Sequence, residues 1–110
     1  MTLTTSIRDG FAVVGIEGRL TASGAKRFRE TIQRLIAEGT SRVVIDFAEA
    51  SFVDSSGLGA LVGSLKDARL AGGDLRIAAV PDPVRSVLRL TNLDRVLRCH
   101  ETPDSAFDGQ

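Results

Sequence analysis

The sequence predicts a single α/β domain with a mixed, mainly parallel sheet, an antiparallel N-terminal strand and helices packed against it. Three observations carry this. Two β-prone runs are joined by Asp9-Gly10, the dipeptide that supplies two residues at positive φ for a tight hairpin. Beyond them, strand and helix spacings of apolar residues alternate through three strand–helix–strand units, which connect parallel strands by right-handed crossovers. Finally, Arg42-Val43-Val44-Ile45-Asp46-Phe47 is rich in β-branched residues without alternation, as expected of a central strand covered on both faces.

In chain order, Leu3 to Ile7 and Phe11 to Ile16 form the hairpin, and Gly18 with Thr21 ends it. Thr21 or Ser23 is placed to cap a helix whose buried stripe is Ala25, Phe28, Ile32, Leu35 and Ile36, with Gly39 as its stop. Its other side holds Lys26, Arg27, Arg29, Glu30 and Arg34 and reads as a solvated face. After the central strand, Ala48 to Val53 leads into a helix that buries Leu58, Leu61, Val62 and Leu65 and ends near Ala71-Gly72-Gly73. Leu75, Ile77 and Ala79 alternate as a strand up to Pro81. Asp82-Pro83 is a cap followed by proline at the first helical position, with Val84, Val87 and Leu88 on the buried side. Val96 to Cys99 is expected as an edge strand, and Thr102-Pro103 opens a last helical turn with Ala106 and Phe107.

Composition narrows the function. The 110 residues, 43% of them hydrophobic, support one core and one domain over 1–110. Fourteen basic residues balance fourteen acidic ones, and the aromatics are five Phe with neither Trp nor Tyr. Neither a nucleic-acid partner nor an anionic membrane surface is indicated. Cys99 is the only cysteine, so there is no internal disulfide. No stretch approaches the roughly 18 apolar residues of a membrane span, so a cytoplasmic protein without direct membrane insertion is expected.

The informative stretch is Phe52-Val53-Asp54-Ser55-Ser56-Gly57-Leu58-Gly59-Ala60-Leu61. Asp54 is the best N-cap, placing Ser55 and Ser56 in the first turn. Gly59, Ala60, Gly63 and Ser64 leave one side of the helix nearly without side chains, although each internal glycine costs about 1 kcal/mol against alanine. That cost implies close approach by something else. The plainest reading is that Asp54, Ser55 and Ser56 only cap the helix, and three chemical readings compete with it. A serine hydrolase lacks the G-x-S-x-G elbow here, and the only histidine, His100, lies far along the chain. A nucleotide loop lacks G-x-x-x-x-G-K, and no Lys or Arg occurs between Arg42 and Lys66. No metal cluster or cofactor is expected. The third reading is phosphorylation of a serine by another protein. A phosphate at a helix N-terminus helps the helix by at most about 1–2 kcal/mol, whereas the same charge at a docking face costs several kcal/mol. The fold survives and the partner leaves.

Val44-Ile45-Asp46-Phe47, the D-S-S-G-L-G core and Gly72-Gly73-Asp74-Leu75-Arg76-Ile77 together resemble the STAS domain family, specifically its free-standing anti-sigma factor antagonists, over nearly the whole chain. The resemblance implies a STAS-like fold and a protein that is not an enzyme. It maps the phosphorylation site onto Ser55, with Asp46 and Asp54 as acidic positions beside it. The implied docking face includes Ser56, Gly57, Leu58, Gly59, Ala60 and Gly63. The implied partners are an anti-sigma factor that is also a serine kinase, bound in the unphosphorylated state so that a sigma factor is freed, and a metal-dependent serine phosphatase that restores that state. Thr21 stands where the family often has Asp, which bears on a contact made by that carboxylate. The alternative is a small STAS subunit of a lipid or anion transport complex.

Overall fold

In the computed structural model, which describes residues 1–108, the chain turns at Asp9-Gly10 as expected. Only Gly10 takes a positive φ, 89°, where both turn residues were expected to. Strands β1 (Thr2–Arg8) and β2 (Phe11–Leu20) pair antiparallel. There follow α1 (Ala22–Ala37), β3 (Arg42–Val53), α2 (Ser55–Leu70), β4 (Asp74–Ala78), α3 (Asp82–Leu90) and β5 (Cys99–His100). Strand order in the sheet is chain order, and every pair after the first is parallel. Successive right-handed crossovers that advance in one direction put their helices on one face.

That face carries the main core. Phe28, Ile32 and Leu35 of α1, Leu61, Leu65 and Ala68 of α2, and Val84 and Leu88 of α3 pack on Val14, Ile16, Val43, Ile45, Phe47, Leu75 and Ile77. Each large side chain so buried contributes about 1.5–3 kcal/mol. The opposite face is closed only locally, where Ala106 and Phe107 cover Val13, Val44 and Ala78. The Phe107 ring lies 5.6 Å from that of Phe11, and the Arg76 guanidinium stands 4.4 Å above it while donating to the Ala106 carbonyl at 2.8 Å. Thr102 caps this final turn, Pro103–Ser105, in a reciprocal box with Ser105.

Five boundaries differ from expectation, one of them the end of β4, which stops at Ala78 because Ala79 turns to φ 55°. β3 does not stop at Phe47; its pairing with β2 runs on to Leu20↔Val53, past register shifts at Gly15/Glu17 and Gly18/Arg19. Gly18, at φ 92°, bends β2 instead of ending it. α3 begins one residue early, with Pro81 as N-cap and Asp82 as its first residue. The expected edge strand from Val96 is only Cys99–His100, because a 3₁₀ turn over Leu93–Arg95, entered through left-handed Asn92, comes first. Thr21 is the N-cap of α1, yet its side chain makes no capping hydrogen bond.

Candidate functional site

One residue, Asp54, links β3 to α2. Its N–H donates to the Leu20 carbonyl at 3.2 Å, so the turn is anchored to the end of β2. The two oxygens of its carboxylate serve two helices. Oδ1 accepts from the Gly57 N–H at 2.8 Å and caps α2; Oδ2 accepts from the Ala22 N–H at 3.2 Å and caps α1. The Asp54 carboxylate thus takes the place of the missing Thr21 cap, and the two helix N-termini meet at this corner. Ser55 and Ser56 occupy the first turn of α2, both exposed, and their amides have no protein acceptor among the described residues. The corner therefore offers an accessible hydroxyl beside unpaired N–H groups at the positive end of a helix.

The small residues of α2 have neighbours of several kinds. A Cβ on Gly57 would collide with the Leu20 carbonyl oxygen, and would lie 2.9 Å from Val53 Cγ1 and 3.0 Å from Leu20 Cγ. One on Gly63 would come within 2.8 Å of the Arg29 Cζ. Ala60 is buried and Ser64 fully so. The close approach implied by Gly57, Ala60, Gly63 and Ser64 is thus made largely by the chain's own β2 and α1. Gly59 alone of these is exposed with nothing within 4 Å of an added Cβ, and Leu58 is half-buried at the edge of the core.

Arg29 explains Gly63. Its guanidinium lies across the bare α2 backbone and donates to Asp67 Oδ2 at 2.9 Å, an oxygen that also receives Gln33 Nε2 at 3.3 Å. The Arg29 hydrogen bond, opposed by partial burial and helped by Gln33, holds the Asp67 carboxyl below its ordinary value. Toward Ser56 the two helices diverge into a groove of about 520 Å³ lined by Lys26, Arg29, Glu30 and Gln33 on one side and Ser56, Gly59 and Ala60 on the other. These α1 residues did not emerge as site residues from the sequence. Their spacing at 26, 29/30 and 33 forms one helical stripe, and that was the available signal.

Asp46 does not join this cluster. It sits mid-strand, opposite Gly15 and Ala78, and accepts from the Ala48 N–H at 3.0 Å. The strand runs seven residues further to Val53; the two register shifts reduce this to five steps along β2, from Gly15 to Leu20, which at about 3.3 Å per residue puts Asp46 about 15–20 Å from the start of α2. The resemblance placed Asp46 beside the serine, as a residue at the end of a strand expected to stop at Phe47. His100 pairs with Ala78 in β5, level with Asp46, so no Ser55–His100 dyad exists. Its Nε2 is buried without a partner among the described residues, and burial, then Arg76 and Arg98, lower its pKa. Burial pushes the Cys99 thiol up. Among the described residues no group of His, Cys, Asp and Glu is placed to hold a metal ion, and no helix is long and apolar enough to cross a membrane.

The family model described as the STAS domain matches residues 2–106. The anti-sigma-B factor antagonist of Staphylococcus aureus is 26% identical over 101 residues, 92% of this chain and 94% of the relative. An anti-sigma factor antagonist from Mycobacterium paratuberculosis superposes with a TM-score of 0.84 at 26% identity, over 96% of this chain and 89% of that one. Bacillus SpoIIAA in its unphosphorylated form shares the fold with a TM-score of 0.83 at 21% identity, over 97% and 94% of the two chains.

Proposed function

Because the chain belongs to the STAS domain family, we propose that it is an anti-sigma factor antagonist, a cytoplasmic binding module rather than an enzyme, switched by phosphorylation of Ser55. The observation that carries this is the exposed Ser55 hydroxyl in the first turn of α2, on a corner held by both oxygens of Asp54. Relatives over nearly its full length carry the same designation.

In the unphosphorylated state the corner docks an anti-sigma factor that is itself a serine kinase, and a sigma factor is released. Ser55, Ser56 and Gly59 supply the exposed part of the face, with Leu58 at its edge; Gly57, Ala60 and Gly63 set its shape from beneath. The kinase transfers the γ-phosphoryl group of ATP to Ser55 Oγ, the bridging P–O bond breaks, ADP leaves, and the hydroxyl proton passes to a kinase base. The new dianion is tolerated within the domain by the free Ser55 and Ser56 amides, a gain of about 0.3–1 kcal/mol. At the interface it costs several kcal/mol, so the partner is expelled. A metal-dependent serine phosphatase resets the switch.

The test incubates the chain with its cognate anti-sigma kinase and MgATP, followed by intact-mass analysis and calorimetry. The native chain gains one phosphate and loses binding. Ser55→Ala gains none and still binds, and Ser55→Asp binds at least tenfold more weakly. A Ser55→Ala chain that is phosphorylated like the native one overturns the assignment.

A further inference from the structure

The exposed apolar residues Val62, Leu70 and Val96, 38%, 78% and 42% accessible, share one groove of about 360 Å³ on the outer side of α2. Leu65, Lys66 and Arg69 complete its lining. Nothing in the Ser55 switch uses this groove. Apolar side chains left this open and gathered in one concavity mark an interaction surface.

The charges around it identify the occupant. The only charged groups in the lining, Lys66 and Arg69, are cationic, and Arg69 is the one already engaged, with Asp74 at 3.1 Å. Arg95 precedes Val96 and Arg98 stands two residues beyond it, both exposed and, among the described residues, without a carboxylate partner within ion-pair distance. The two segments that supply the lining, residues 62–70 and 94–98, hold four basic side chains against two acidic ones, Asp67 and Asp94, in a chain whose total charge is zero. Of those acids, Asp67 is spent on Arg29. A second copy of this chain would bring the same cationic rim against itself, which like-charge contact disfavours.

The geometry points to an acidic amphipathic helix of a second protein. From Val62 to Leu70 the wall rises about 12 Å, a little over two helical turns, which matches a helix presenting apolar residues at i, i+3/i+4 and i+7. Its flanking carboxylates meet Lys66 and the arginines at the rim. This surface is independent of Ser55 and of the phosphorylation reading.

The test titrates the ¹⁵N-labelled full chain with an 18-residue Leu/Glu amphipathic peptide and, separately, with its Leu/Lys counterpart. The Leu/Glu peptide shifts the amides of Val62, Lys66, Leu70 and Val96 saturably and the Leu/Lys peptide does not. Lys66→Glu and Val62→Asp, both on exposed positions, weaken the binding at least tenfold with the melting temperature unchanged. Shifts equal for both peptides, shifts located elsewhere, or no shifts overturn the proposal. So do groove shifts that appear on concentrating the chain alone, or only with phosphatidylglycerol vesicles.

Discussion

Replacing Gly57 by alanine tests the architecture of the switch corner directly. The added methyl points at the Leu20 carbonyl oxygen and also meets Val53 Cγ1 at 2.9 Å. Neither the carbonyl nor the strand end can give way separately, because the Leu20 carbonyl accepts from Asp54 N–H at 3.2 Å and Asp54 caps Gly57 at 2.8 Å. Relief therefore requires α2 to back away from β2. Overpacking of this kind costs about 1–3 kcal/mol, and a weakened N-cap costs about 1 kcal/mol more. The better helix propensity of alanine returns about 1 kcal/mol. The net expectation is a loss of about 1–3 kcal/mol, or a melting temperature lower by about 4–12 °C for a domain of this size. Gly59→Ala, two residues along the same helix, meets nothing within 4 Å and should gain up to about 1 kcal/mol. Urea unfolding of both variants, read by circular dichroism, measures the two shifts. If both move in the same direction, the contact between Gly57 and the β2 end is not the reason for that glycine.

Asp54→Ala removes the acceptor for both the Gly57 and Ala22 amides and should cost about 1–2 kcal/mol, with faster amide exchange at the start of α1 as well as α2; protection lost at α2 alone would contradict the shared cap. Stability should also fall in acid. In Asp74, burial works to raise the carboxyl but the Arg69, Leu75 and Arg76 hydrogen bonds outweigh it, and in Asp67 the Arg29 bond leads, so both lie below their ordinary value in the folded chain. A depressed folded pKa gives stabilisation that is complete above the unfolded value near 4 and is lost as pH drops through the folded one. Chemical denaturation between about pH 5 and pH 2 should therefore show a decline that Asp67→Asn and Asp74→Asn each make shallower; an unchanged slope in both would refute it.

Much of the fold was legible because its signals are local. Phe28, Ile32 and Leu35 fall at helical spacing and are buried together, and Asp54 announces the start of α2 by residue type and caps it as expected. The errors share a different origin. Whether β3 ends at Phe47 depends on a partner strand being present beside Ala48 to Val53, and that partner exists only because β2 bends at Gly18 and continues. Asp46, which the resemblance placed beside the serine, consequently lies well away from it. Glycines in a helix likewise announce close approach without naming the visitor. The Leu20 carbonyl arrives from 37 residues upstream, and Arg29 from another helix, so neither contact has a signature within α2. The basic residues of α1 were read as one solvated face, but Arg29 turns inward onto Gly63 while Lys26 borders the groove beside Ser56; charge alone does not sort them.

The second face of the sheet has its own consequence for biosynthesis. Val13, Val44 and Ala78 remain open until Ala106 and Phe107 arrive, and those two leave the ribosome after everything they cover. With the helical layer assembled, a nascent chain still carries an unsealed apolar strip, which closes only on release or with enough trailing polypeptide to clear the exit tunnel.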